Sequence, residues 1–251
     1  MEKINVRGIE FDNVTLPEAV AYLCELAHGD APRAVFTPNS EIVQNCVSDP
    51  EFKKIISSAD VILPDGAGVV KAAKILGTPL KAKVPGVEVG EALVASSGKE
   101  GLPVFLMGGK PGVAEAAAEK LLQKYPDARI AGTHHGYFKK EGEENDAVIE
   151  KINKTDAKIL FVCLGSPAQE KWIASYRERL TGVRLILGLG GSLDVFAGTA
   201  KRAPKFFIKT SLEWFYRLLK QPTRIGRMTA LPKFYFGTWR YKRKMRKAER
   251  R

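Results

Sequence analysis

The sequence predicts an α/β protein: a Rossmann-like, doubly wound, mostly parallel sheet over residues 1–200, followed by a basic, aromatic, helical appendage over 201–251. Three observations predict it. Short apolar strand candidates alternate with helical patterns along the first two hundred residues, the order expected of βα units. Runs such as Ile159-Leu-Phe-Val-Cys-Leu are apolar on both faces, which suits central parallel strands covered by helices on either side. Near residue 200 the alternation stops and the charge changes. Residues 201–251 hold 17 Lys and Arg against only Glu213 and Glu249, a net +15, whereas the first 200 hold 23 basic and 26 acidic residues, a net −3.

The elements follow in order. Residues 4–11 form two short strands around Gly8. A helix over about 16–28 starts with Thr15 and Glu18 as a capping box and Pro17 in the first turn. Strands are expected at Ala34–Thr37, Asp60–Leu63, Pro103–Met107, Arg129–Gly132, Lys158–Leu164 and Arg184–Leu189. Helices are expected near 40–58, 67–76, 86–98, 111–125, 143–153 and 167–180. Residues 205–220 carry Ile208, Leu212, Phe215 and Leu219 on one helical face, and beyond Pro222 the chain is basic and aromatic.

The charge asymmetry points to a polyanionic partner: nucleic acid, anionic lipid or a phosphorylated substrate. Aromatic residues interleaved with bases fit an interfacial membrane segment, and also single-stranded nucleic acid. No signal-peptide pattern opens the chain, and no stretch offers about 18 consecutive apolar residues, so a membrane role would be peripheral. Cys24, Cys46 and Cys163 are odd in number, widely spaced and set in apolar stretches, as reduced buried thiols are.

Ligands of open α/β sheets bind beyond the carboxyl ends of the strands, so those ends hold the candidates. At Thr37-Pro-Asn-Ser, hydroxyl and amide groups could bind a phosphate or sugar, or Asn39 or Ser40 could simply cap a helix. At Pro64-Asp-Gly-Ala-Gly, Asp65 is either a turn former or a general base at a strand end. Gly108-Gly-Lys-Pro-Gly is a glycine-rich strand-to-helix turn whose backbone N–H groups suit a diphosphate, with Lys110 beside it; it is neither a P-loop nor a dinucleotide fingerprint. In Gly165-Ser-Pro-Ala-Gln-Glu-Lys-Trp, Gln169 and Glu170 could read a nucleotide or sugar, or merely start a helix. No Asp-x-Asp occurs, and adjacent His134 and His135 should point apart on a strand. No metal and no cofactor is expected.

Taken together, these motifs resemble the WecG/TagA/CpsF glycosyltransferase family. The landmarks run across nearly the whole chain: Thr37-Pro-Asn-Ser-Glu, Leu63-Pro-Asp-Gly-Ala-Gly-Val-Val, Val84-Pro-Gly, Phe105-Leu-Met-Gly-Gly-Lys-Pro-Gly-Val, Thr133-His-His-Gly-Tyr-Phe, Leu164-Gly-Ser-Pro-Ala-Gln-Glu-Lys-Trp, Gly190-Gly-Ser-Leu-Asp-Val-Phe-Ala-Gly, Arg202-Ala-Pro-Lys and Glu213-Trp-Phe-Tyr-Arg-Leu, with Pro222 and Arg224 after it. Ala168 departs from the pattern, where a basic residue is expected before Gln-Glu. The resemblance implies an inverting, metal-independent transferase. Its best-matching branch, similar to the TagA-type enzymes of wall teichoic acid synthesis, moves N-acetylmannosamine from a UDP donor onto N-acetylglucosamine carried on undecaprenyl diphosphate; another member could use N-acetylmannosaminuronic acid. The roles it suggests are Asp65 as base, opposite an anion cradle at Gly108–Gly112; Thr37, Asn39 and Gln169 orienting sugar and phosphates; and Arg217, Arg224 and Arg227 of the appendage binding phosphate. The expected setting is cytoplasmic, at the inner face of an anionic membrane, with self-association open. Rival readings are a nucleic-acid-binding protein, a Rossmann oxidoreductase and a non-catalytic surface adaptor. On the favoured reading no nucleic-acid partner is expected.

Overall fold

The computed structural model describes residues 1–200, Pro204, Phe207 and 230–248. The expected helix at 205–220 and the three arginines Arg217, Arg224 and Arg227 lie outside the described residues.

A hairpin opens the chain, β1 (Lys3–Val6) and β2 (Ile9–Asp12), paired antiparallel. Its two-residue turn needs positive φ at both positions. Gly8 meets that at +87°, and Arg7 meets it at +57°, where a side chain is uncommon.

The main sheet has six strands: β3 (Arg33–Phe36), β4 (Val61–Ile62), β5 (Val104–Gly108), β6 (Ile130–His134), β7 (Ile159–Cys163) and β8 (Leu185–Gly188). Their order is β4-β3-β8-β7-β5-β6 and every pairing is parallel, so all six carboxyl ends share one edge. Strand pleating divides the core in two. Ile159, Phe161 and Cys163 of β7 enter the layer packed by α1 (Leu16–Ala27), α5 (Gly86–Glu100), α6 (Val113–Lys124) and the short α9 (Ser192–Phe196). Leu160 and Val162 enter the opposite layer, packed by α2 (Ser40–Ser48), α3 (Pro50–Ser57), α4 (Ala67–Leu76), α7 (Gly142–Asn153) and α8 (Ala168–Tyr176). The sheet is thus covered on both faces, as the doubly wound reading requires.

Among the boundaries that differ from expectation, three are in helices that flank turns. The 40–58 helix is broken at Asp49-Pro50, because Pro50 has no N–H to continue the ladder; Asp49 ends α2 and its Oδ1 caps α3 at Phe52 N, 2.9 Å away. Helix α6 starts at Val113, after Gly112 at φ +85°. Helix α8, expected to run to 180, ends at Tyr176 and continues as a 3₁₀ turn, Arg177–Arg179.

Both sheet edges carry a charged partner. Ile62 N of edge strand β4 donates to the buried carboxylate of Asp12 (2.8 Å), which is paired with Lys3 (3.1 Å). On edge strand β6, Thr133 O accepts from Lys151 Nζ at 2.9 Å.

Helix α10 (Ala230–Ala248) lies on α2 and α4. Phe234 and Thr238, both 0% exposed, face inward, and Phe234 joins the core layer of α2 and α4. Phe236 (74% exposed) and Trp239 (53%) face outward with Lys233, Arg240, Arg243, Lys244, Arg246 and Lys247. Among the described residues no helix is long and apolar enough to cross a membrane.

Candidate active site

The carboxyl edge of the sheet brings the strand-end motifs into one row. At its β4 end, Asp65 is half-buried in the turn between Ile62 and α4. That turn is held by Val84 N donating to Pro64 O (2.8 Å), which brings Val84-Pro85-Gly86 alongside. Gly86 is needed there, since a Cβ on it would come within 2.8 Å of Thr37 Oγ1. Thr37, at the end of β3, donates to Gly188 O of β8 at 3.3 Å. Beside it, Gln169 Oε1 accepts from Gly190 N at 2.8 Å and its Nε2 donates to Glu170 Oε1 at 3.0 Å. These contacts tie Thr37, Gln169 and the turn at 188–190 into a hydrogen-bonded unit.

Glu170 is 1% exposed, and its Oε2 and the nearby Ser166 Oγ are buried without a hydrogen-bond partner. Burial raises the pKa of Glu170, against the pull of the Gln169 amide. Glu170 is therefore a buried acid beneath the site rather than an open reader of a ligand. Gln169, 4% exposed, has both ends of its amide engaged. Asn39 is also engaged: its Oδ1 accepts from Glu41 N (2.9 Å) and Ile42 N (3.1 Å), the capping alternative that local sequence leaves open.

The β5 end is built differently. Gly108 (φ +143°) and Gly109 (φ +70°) close against β7, where a Cβ on Gly108 would overlap the Cys163 backbone. Gly136 N donates to Gly109 O (2.8 Å), and a Cβ on Gly136 would sit 3.2 Å from Gly108 Cα. The His134–Phe138 loop is thereby folded over the glycine turn. Gly109 N is not open to an anion, since it donates to Cys163 O at 3.3 Å; Lys110 is exposed. The histidines do not point apart. Strand β6 stops at His134, which frees His135 from the alternation, and the two rings lie 4.6 Å apart. Burial lowers the His134 pKa, and its Nδ1 lies 2.7 Å from His135 O. Burial raises the thiol of Cys163, at the end of β7, to about 12, so it is no nucleophile.

Strand order corrects one expectation. β4 and β5 are four strand spacings apart, on the order of 19 Å. Asp65 and Gly108–Gly109 thus do not face each other; they mark two ends of a row, with Thr37, Gln169 and Gly190 between.

A profile of the glycosyl transferase WecG/TagA/CpsF family matches residues 4–248. Curated proteins named N-acetylglucosaminyldiphosphoundecaprenol N-acetyl-beta-D-mannosaminyltransferase, from Staphylococcus aureus strains MRSA252 and MW2, are each 36% identical over 249 residues, covering 98% of this chain and 96% of theirs. The protein of that name from strain NCTC 8325 matches to the same extent. With its motifs set along one carboxyl edge and a match that spans body and C-terminal helix alike, the chain belongs to the WecG/TagA/CpsF family of glycosyl transferases.

Proposed function

We propose that the protein is an inverting transferase that moves N-acetylmannosamine from UDP-N-acetylmannosamine to N-acetylglucosamine on undecaprenyl diphosphate. The observation that carries this reading is the match, over 98% of the chain, to enzymes named for that activity. In this reading Asp65 takes the proton of an acceptor hydroxyl as its oxygen attacks the anomeric carbon. The bond from that carbon to the diphosphate oxygen breaks, and UDP leaves with the electron pair. The base and the leaving oxygen act on neighbouring atoms, so the diphosphate cannot sit about 19 Å away. We therefore place the diphosphate mid-row, by Thr37 and the 188–190 turn, with Asn39 at its flank. The uridine then falls toward Gly108, Gly109 and Lys110. Gln169 positions the 188–190 turn, and Glu170 supports Gln169 from below. Arg217, Arg224 and Arg227 supply positive charge to the departing UDP.

We further propose a division into a catalytic body, 1–200, and an appendage, 201–251, that meets an anionic membrane. What supports it is the outward face of α10, where Phe236 and Trp239 stand among six basic residues. The location that follows is the inner face of the cell membrane. Asp65→Asn tests the mechanism. Turnover, read as UDP release with a lipid-diphosphate acceptor, should fall about 10²–10⁴-fold while UDP still binds. Near-normal turnover would remove Asp65 as the base.

A further inference from the structure

Helix α10 reaches the body through an arginine that the transfer mechanism does not use. Arg7 stands in the hairpin turn at φ +57°, yet its side chain is buried. Its Nη1 donates to Gln44 Oε1 (2.7 Å) and to Phe234 O on α10 (3.2 Å), and the guanidinium lies over the Phe234 ring at 5.3 Å. Among the described residues no carboxylate pairs with it. A buried guanidinium needs such compensation, and here α10 shares in it with Gln44 of α2, while Nε is left unpaired. Gly237 makes the room, since a Cβ there would overlap the Arg7 guanidinium. Tyr241 Oη donates to Asn5 Oδ1 (3.3 Å) and Lys242 bonds Ile75 O, extending the seam.

The same docking carries Tyr235 to the acid end of the row. A Cβ on Gly68, three residues after Asp65, would lie 3.6 Å from the Tyr235 hydroxyl and would overlap Ser40 Oγ. Lys71 stands 5.5 Å from the centre of the Tyr235 ring. Tyr235 is half-buried, and its hydroxyl, not itself sealed from solvent, makes no hydrogen bond among the described residues, which leaves it available to a ligand.

We propose that Tyr235 contributes its hydroxyl to the acceptor sugar beside Asp65, and that Arg7 is the latch that holds it there through α10. The acceptor part rests on the transferase reading; the latch does not. Three variants test the pair, with hydrogen exchange of the α10 amides as one readout and kinetics with a short-chain, water-soluble lipid-diphosphate acceptor as the other. Gly237→Ala should speed exchange in α10 at least tenfold, because the new methyl evicts the guanidinium. Its exchange should not increase further when Arg7→Gly is added, since the clash is then gone and glycine suits the turn. Tyr235→Phe should keep the exchange pattern of the parent, raise the acceptor KM at least fivefold and leave the donor KM unchanged. The latch is overturned if Gly237→Ala leaves α10 as protected as before. The acceptor contact is overturned if Tyr235→Phe keeps the parent acceptor KM. Absence of turnover in the parent with this acceptor would strike at the transferase reading and leave the exchange result standing.

Discussion

The two ends of the carboxyl edge are built by opposite means. Around Asp65, Thr37 and Gln169, side chains reach across and bond the backbone of the next strand's turn. Around Gly108, Gly109 and Gly136, backbones meet directly because side chains are missing. The first kind of construction puts chemistry where it can be edited atom by atom. The second makes a surface whose shape fails as a whole. Substitutions at the glycine end should therefore register as lost stability, and those at the acid end in the kinetics as well.

Gly108→Ala should give the largest stability loss. Its Cβ would overlap the Cys163 backbone, which cannot move aside as a flexible side chain could, and its φ of +143° is unsuited to alanine. A loss on the order of 3 kcal/mol is expected, read as a lowered thermal midpoint. A midpoint within a degree of the parent would erase the contrast between the two ends. Gln169→Ala comes next. It leaves Gly190 N without its acceptor and the buried Glu170 without its donor, a cost of about 2 kcal/mol. It should also raise the donor KM, through the loosened 188–190 turn. An unchanged KM would detach Gln169 from the site.

The smallest effect sharpens the role of Glu170. A buried carboxylic acid with a raised pKa stays protonated in the fold at pH values where the unfolded chain has ionised. Its contribution to stability is complete below the unfolded pKa of about 4.3 and is lost as pH rises through the folded value. Glu170→Gln keeps an oxygen to accept from Gln169 and cannot ionise. The variant should therefore gain on the parent as pH rises from 4 to 7. Thermal unfolding at several pH values measures this, and a gap independent of pH would mean that Glu170 titrates normally.

Most of the body is legible in the sequence because its signals are local. The capping box at Thr15 and Glu18, the both-face apolar run of β7 and the glycine turns each act within a few residues. The break at Asp49-Pro50 carries its own signal, a helix-capping acid followed by proline, inside a pattern that otherwise favours one long helix. Lateral order is not local. The placement of β8 between β3 and β7 follows from how each crossover packs, and it is this order that separates Asp65 from Gly108. The commitments of polar groups are equally non-local. Asn39, Gln169 and Gly109 N look available in sequence and are spent on caps, turns and neighbouring strands. The docking of α10 did have a readable trace. Phe234, Thr238 and Tyr241 recur at the spacing of one helical face inside a run otherwise dominated by bases.

The charges that flank the sheet have a consequence for assembly. Main-chain groups left bare along an outer strand are a template on which another chain can add, and repeated addition is how aggregates grow. Here Asp12 occupies an amide of β4, and Lys151 occupies a carbonyl of β6. Neither flank offers an uninterrupted ladder to a neighbour, so the body resists polymerising through its strands even where such a protein is crowded against a surface.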